Sequence, residues 1–145
     1  MKRALLVVLL LAACATAPPP APLHVVLVGT PDVHGWFTER VEVPPGGGQG
    51  VHHGGVALLA GYVDALRAAY GNRVLLLDSG DMFQGTLESN LFEGEPVVRA
   101  YNALGYAAAA VGNHEFDYGP VGRKVIASEP GDDPLGALKR NAEIA

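Results

Sequence analysis

The chain has 145 residues, 49% of them hydrophobic, which is enough for one compact core and too little for two. Fifteen acidic residues against ten basic ones give a formal charge of −5 and exclude a surface that binds nucleic-acid polymers non-specifically. The single cysteine, Cys14, excludes any disulfide within the chain.

Leu5 to Ala13 form an apolar run behind Lys2 and Arg3 that ends in small residues, the layout of a secretory signal peptide and too short for a stable membrane span. Its end, Leu11-Ala12-Ala13-Cys14, resembles the lipobox of bacterial lipoproteins, in which the leader is cut before an acylated cysteine. That resemblance implies a signal over residues 1–13 and lipidation of Cys14. The protein would then be exported and lipid-anchored to the bacterial cell envelope, at the outer membrane facing the periplasm or the cell surface. More than one acyl chain is required for lasting attachment, and a lipobox cysteine receives several. Losing Lys2 and Arg3 with the leader makes the mature balance more acidic still. Residues 14–22 are too proline-rich for helix or sheet and read as an extended tether, so folding is expected over residues 23–145.

Val25 to Val28 is a β-branched apolar run meeting Gly29, and Val74 to Leu77 is a second meeting Asp78-Ser79-Gly80; both read as fully buried strands. Pro44 to Gly55, glycine-rich and carrying His52 and His53, reads as a surface loop. Helices are predicted over Val56 to Ala69, with Leu58, Leu59, Tyr62, Val63 and Leu66 on one stripe, and over Pro96 to Leu104, with proline near the start and Gly105 past the end. Ala107 to Val111 is a third, alanine-rich strand ending in glycine. Glu129 to Pro134 reads as an acidic turn and Leu135 to Ile144 as a short final helix leading to a further strand. No internal repeat is present. The order β-α-β-α-β predicts an α/β fold with a mostly parallel sheet and right-handed crossovers, in which ligands gather outside the carboxyl ends of the strands.

Each strand end carries polar residues. After the first comes Asp32-Val33-His34; in an extended segment residues two apart face the same side, so the carboxylate and imidazole could grip one cation, although alone the spacing equally describes a loop with an Asx turn. After the second comes Asp78-Ser79-Gly80-Asp81, where Gly80 permits a sharp turn and Asp81 has two oxygens with which to bridge two cations, while Asp78 reads as a structural or supporting acceptor. After the third comes Gly112-Asn113-His114-Glu115-Phe116-Asp117. Asn113 offers a neutral carbonyl ligand, and His114 points towards substrate with Asp117 placed to orient it and raise its pKa; Glu115 and Phe116 read as structural. Three such clusters on one sheet edge form a constellation.

Asp32-Val33-His34-Gly35, Gly80-Asp81-Met82-Phe83-Gln84-Gly85 and Gly112-Asn113-His114-Glu115-Phe116-Asp117-Tyr118-Gly119 resemble the first three motifs of the 5'-nucleotidase branch of the calcineurin-like metallophosphoesterases. The resemblance runs from about Leu23 to Ile144 and includes Gly54 to Ala60 and Asn102 to Tyr106. It implies that Asp32 and His34 bind a first metal, that Asp81 bridges both and Asn113 binds the second, and that His114 and Asp117 form a catalytic dyad. The implied cofactors are two divalent ions, with zinc, manganese, magnesium and calcium not distinguishable, and the implied substrate is a nucleotide or other phosphate monoester.

Two positions depart from the family pattern: Pro31 stands where asparagine is usual and Ala107 where aspartate is frequent. The family also supplies a lone histidine and a Gly-His-x-His motif from later segments, and no histidine follows His114. His24 reads as a strand-edge residue and His52 and His53 as solvated, so none is a ligand candidate. The chain therefore reads as the N-terminal portion of the metallophosphoesterase α/β sandwich, ending before the later metal ligands and the C-terminal substrate domain, with one face and one edge of its sheet uncovered and weak or no activity alone. Two alternatives remain: a short lipoprotein that binds metal or a partner without turnover, and a cyclic-phosphodiesterase or sulfur-oxidation homologue within the same family.

Overall fold

A computed structural model describes residues 21–145; the leader, Cys14 and the tether up to residue 20 lie outside the described residues. Three parallel strands, β1 (Val26–Thr30), β4 (Val74–Asp78) and β5 (Tyr106–Ala109), form one sheet in the order β1-β4-β5. Helix α1 (Val56–Tyr70) connects the first pair, and α2 (Leu87–Leu91) and α3 (Glu95–Leu104) connect the second. Helix α4 (Gly136–Ile144) closes the chain. The predicted β-α-β-α-β order is therefore present in this α/β fold. Among the described residues no helix is long and apolar enough to cross a membrane.

The helix limits follow local chemistry. Gly71 ends α1 at φ 65° with its N–H on the Arg67 carbonyl; Gly105 ends α3 at φ 71°, a left-handed turn that a residue with a Cβ resists. Pro96 occupies the first turn of α3, where its missing N–H costs nothing. Helix α2, which apolar periodicity does not reveal in five residues, is started by the Thr86 hydroxyl accepting from the Ser89 N–H.

Two expectations are corrected. The strands are not buried on both faces: Leu27 of β1 is 66% exposed and its β4 partner Leu75 38%, whereas Leu76 is 1% exposed. The cause is topological. Strands are added in one direction, so both right-handed crossovers place α1 and α3 on the same side of the sheet. Likewise, in α1 it is Val63, with Val56, Leu59 and Ala60, that packs on Leu76 and Leu104, while Leu58 and Tyr62 face outward.

The segment expected to be a loop also holds a strand. Val51–His53 (β3) pairs antiparallel with Arg40–Glu42 (β2), in register Arg40↔His53 and Glu42↔Val51. This hairpin is exposed throughout, and three residues per strand are too few for an alternation to reveal it. His24 is exposed and precedes β1 rather than starting it.

A buried polar knot lies beneath the strand ends. Asp78, 6% exposed, accepts from the Thr30 hydroxyl at 2.5 Å, the Tyr101 hydroxyl at 2.7 Å and the Gly80 N–H at 2.8 Å, and the Tyr101 and Tyr106 rings stack at 3.9 Å. Burial first, and then the bond to the Asp78 carboxylate, raise the Tyr101 pKa; burial also raises Tyr106 and pushes Tyr118 up to about 12. Above the ordinary tyrosine value of 10.0 the unfolded chain loses phenol protons that the folded chain retains, so stability falls as pH rises past that point. In a base titration followed by tyrosinate absorbance, we expect Tyr101, Tyr106 and Tyr118 to ionise only as the fold opens. Five phenols titrating together while circular dichroism stays native would contradict this packing.

Candidate metal centre

The three loops leaving β1, β4 and β5 meet at one place. Ligand-capable atoms of His34, Asp81 and His114 lie within 4.8 Å of one another, each side chain half-buried. The His34 and His114 rings meet edge to face with centroids 5.0 Å apart. His34 Nδ1 is 2.6 Å from the Gln84 carbonyl oxygen, which orients the ring and leaves Nε2 for a cation. The His34 imidazole and the Asp81 carboxylate at this spacing suit a divalent ion that accepts nitrogen and oxygen donors, with the His114 ring beside them.

The first loop reaches this place by a route the sequence does not disclose. Asp32 and His34 both sit at φ 49° and Asp81 at φ 58°, so three of the four non-glycine residues with positive φ among the described residues belong to the candidate centre. The Asp32–His34 segment is thus not extended, and the rule that places residues two apart on one side does not apply to it. Its backbone instead runs along the second loop: Asp32 N–H donates to the Gly80 carbonyl at 3.2 Å, His34 N–H to that of Asp81 at 3.1 Å, and Gly35 N–H to that of Met82 at 2.8 Å. The Asp32 carboxylate is exposed and stands outside the three-residue cluster. Asn113 is exposed and precedes the short 3-10 turn His114–Phe116 without a capping bond from its side chain.

Glycine is required where the second and third loops touch. Gly80 adopts φ 102°, and a Cβ there would lie 2.7 Å from the Gly112 nitrogen. This close approach carries Asp81 to the third loop, where its Oδ1 accepts from the His114 N–H at 3.0 Å.

Glu115 holds the two loops together. Its carboxylate, 1% exposed, accepts four backbone N–H groups: Asp81 at 2.9 Å, Met82 at 2.7 Å, Phe83 at 3.2 Å and Gly112 at 2.6 Å. A lone acidic residue inside a polar motif carries no mark of this role in sequence; only a glutamate 32 to 34 residues from most of its donors is seen there.

Asp117 engages His114, with Oδ2 2.6 Å from Nδ1. That hydrogen bond is the main cause raising the His114 pKa above 6.5, with the Asp117 charge adding to it and partial desolvation opposing it. The ring therefore keeps its proton to a higher pH than a free histidine and presents Nε2 to the cluster side. His52 and His53 take no part: His52 pairs with Glu39 at 2.7 Å and His53 with Glu42 at 3.6 Å on the exposed hairpin.

No family model matches the chain. It is 51% identical over 70 residues to a snake venom 5'-nucleotidase of Gloydius brevicauda, a match covering 48% of this chain and 12% of that protein. Among solved structures, a 5'-nucleotidase precursor from Thermus thermophilus superposes with a TM-score of 0.57 at 33% identity, covering 81% of this chain and 20% of that one. The NAD nucleotidase of Haemophilus influenzae gives a TM-score of 0.54 at 30% identity, covering 66% and 17%. The chain thus spans about an eighth of its curated relative and a fifth or less of these structures.

Proposed function

On the premise that this chain belongs to the 5'-nucleotidase family of calcineurin-like metallophosphoesterases, we propose that the protein hydrolyses phosphate monoesters, in the first place nucleoside 5'-monophosphates. The observation that carries the reading is the convergence of His34, Asp81 and His114 at the carboxyl ends of three parallel strands. Asp32, His34, Asp81 and Asn113 are the residues that would hold a pair of divalent cations. When bound, such cations supply Lewis-acid polarisation of the phosphoryl oxygens and activation of water at neutral pH.

The remaining chemistry belongs to the dyad. Asp117 holds the Nδ1 proton of His114, so the imidazolium Nε2–H is free to donate to a phosphoryl oxygen and then to the departing alkoxide. The products are an alcohol and inorganic phosphate. The leader and Cys14 complete the proposal: an exported hydrolase, tethered to the bacterial envelope, meeting nucleotides outside the cytoplasm.

The test is phosphate release from a nucleoside 5'-monophosphate with added manganese or zinc, run as a pH series on the protein and on Asp117→Asn. Because Asp117 raises the His114 pKa, its loss is expected to move the alkaline limb of kcat/KM to lower pH and to cut the rate about 100-fold. Cation uptake with no phosphate release would favour the binding-only alternative, and an unshifted limb would remove His114 from the acid's role.

A further inference from the structure

Beside the metal centre, Trp36, Thr38, Arg40, Val41, Glu42 and His53 line a cleft of about 560 Å³ between the first loop and the β2–β3 hairpin, and a neighbouring cleft shares Trp36 and reaches Asp32. The Arg40 guanidinium carbon lies 4.0 Å above the Trp36 ring. A guanidinium held over an aromatic ring keeps N–H donors with which to meet an anionic acceptor. Glu39 lies 2.7 Å from His52 and Glu42 3.6 Å from His53, and no ion pair among the described residues uses Arg40. The hairpin base is rigid: Val56 N–H donates to the Phe37 carbonyl at 2.9 Å, and Gly55, at φ 82°, has no room for a Cβ, which would lie 2.8 Å from the Glu39 nitrogen.

We propose that this cleft is a subsite for a second anionic phosphoryl group on the substrate, with Arg40 as the specificity-determining residue and Trp36 as its platform. The inference rests on the phosphoesterase reading, since the first phosphoryl group is taken to lie at the metal centre. Trp36 follows His34 by two residues, so their Cα atoms are at most about 7 Å apart, within the span of one nucleotide. An anion is favoured over a stacked base because the Arg40 cation already lies over one face of the Trp36 ring.

The experiment is calorimetric titration of the full chain, with manganese present, using a nucleoside 5'-monophosphate and the 3',5'-bisphosphate of the same nucleoside. Trp36 is the only tryptophan, so its emission reports where the second group binds. The bisphosphate is expected to bind about ten-fold more tightly and to change the emission, a preference that Arg40→Gln reduces to within about two-fold and Arg40→Lys keeps in part. Monophosphate binding without any bisphosphate preference, or a preference that survives Arg40→Gln, overturns the subsite alone. Failure of the monophosphate to bind at all overturns the phosphoesterase reading and the subsite with it.

Discussion

Asp81→Ala is expected to lower the affinity for manganese or zinc by more than about 100-fold in a calorimetric titration, the largest loss from any single side chain in the centre. The substitution removes three things at once. It takes the only carboxylate from the cluster with His34 and His114, and it deletes the acceptor of the His114 N–H. It also places alanine at φ 58°, a backbone angle that aspartate tolerates better. Asp81→Asn separates these effects, because the amide oxygen still accepts from His114 and asparagine adopts the left-handed turn readily, while the charge is gone. Both variants are expected to lose cation binding, with only the alanine form also losing thermal stability. Undiminished cation affinity in Asp81→Asn would remove Asp81 from the ligand set, and with it the proposed two-cation site.

The second large effect is on stability. Glu115→Ala leaves four N–H groups of two loops without their shared acceptor in a site closed to solvent. Leaving a buried donor unsatisfied costs about 1 to 3 kcal/mol, so losing the acceptor of several is expected to cost about 3 kcal/mol or more. For a domain of this size that is a fall in Tm of roughly 10 °C or more, read by circular dichroism. Glu115→Gln keeps one carbonyl oxygen but turns an amide donor towards N–H groups that are donors too, so an intermediate fall is expected. Cation affinity is expected to drop in both, since Glu115 sets the register between the loop of Asp81 and the loop of His114. A Tm within about 1 °C of the parent in both variants would show that the four hydrogen bonds do not form in solution.

The two residues fail for different reasons, which makes the pair informative. Asp81 is half-buried and exposed to ligand, so its loss is felt as lost binding. Glu115 is sealed beneath it and is felt as lost folding. Of the strained turns, Asp81 is held by its N–H on this carboxylate, and Asp32 and His34 by their N–H groups on the Gly80 and Asp81 carbonyls. Strain of that kind persists only where surrounding bonds over-determine it.

Much of the frame was legible in the sequence because its information is local. The strands Val26–Thr30 and Val74–Asp78 are short apolar runs, α1 and α3 repeat at helical spacing, and Gly71 and Gly105 stop those helices by backbone geometry. Polar residues after each strand marked the edge where His34, Asp81 and His114 meet, and the Asp117–His114 bond follows from a three-residue spacing. What tertiary structure alone decided are relations between distant residues. The pairing of β2 with β3 joins two exposed segments of three residues each, too short for a period to show. The left-handed angles at Asp32 and His34 arise because that loop must follow the backbone of Gly80 to Met82. Glu115 acquires its four donors only when the second and third loops meet, for hydrogen bonds between segments some thirty residues apart leave no periodic trace along a chain.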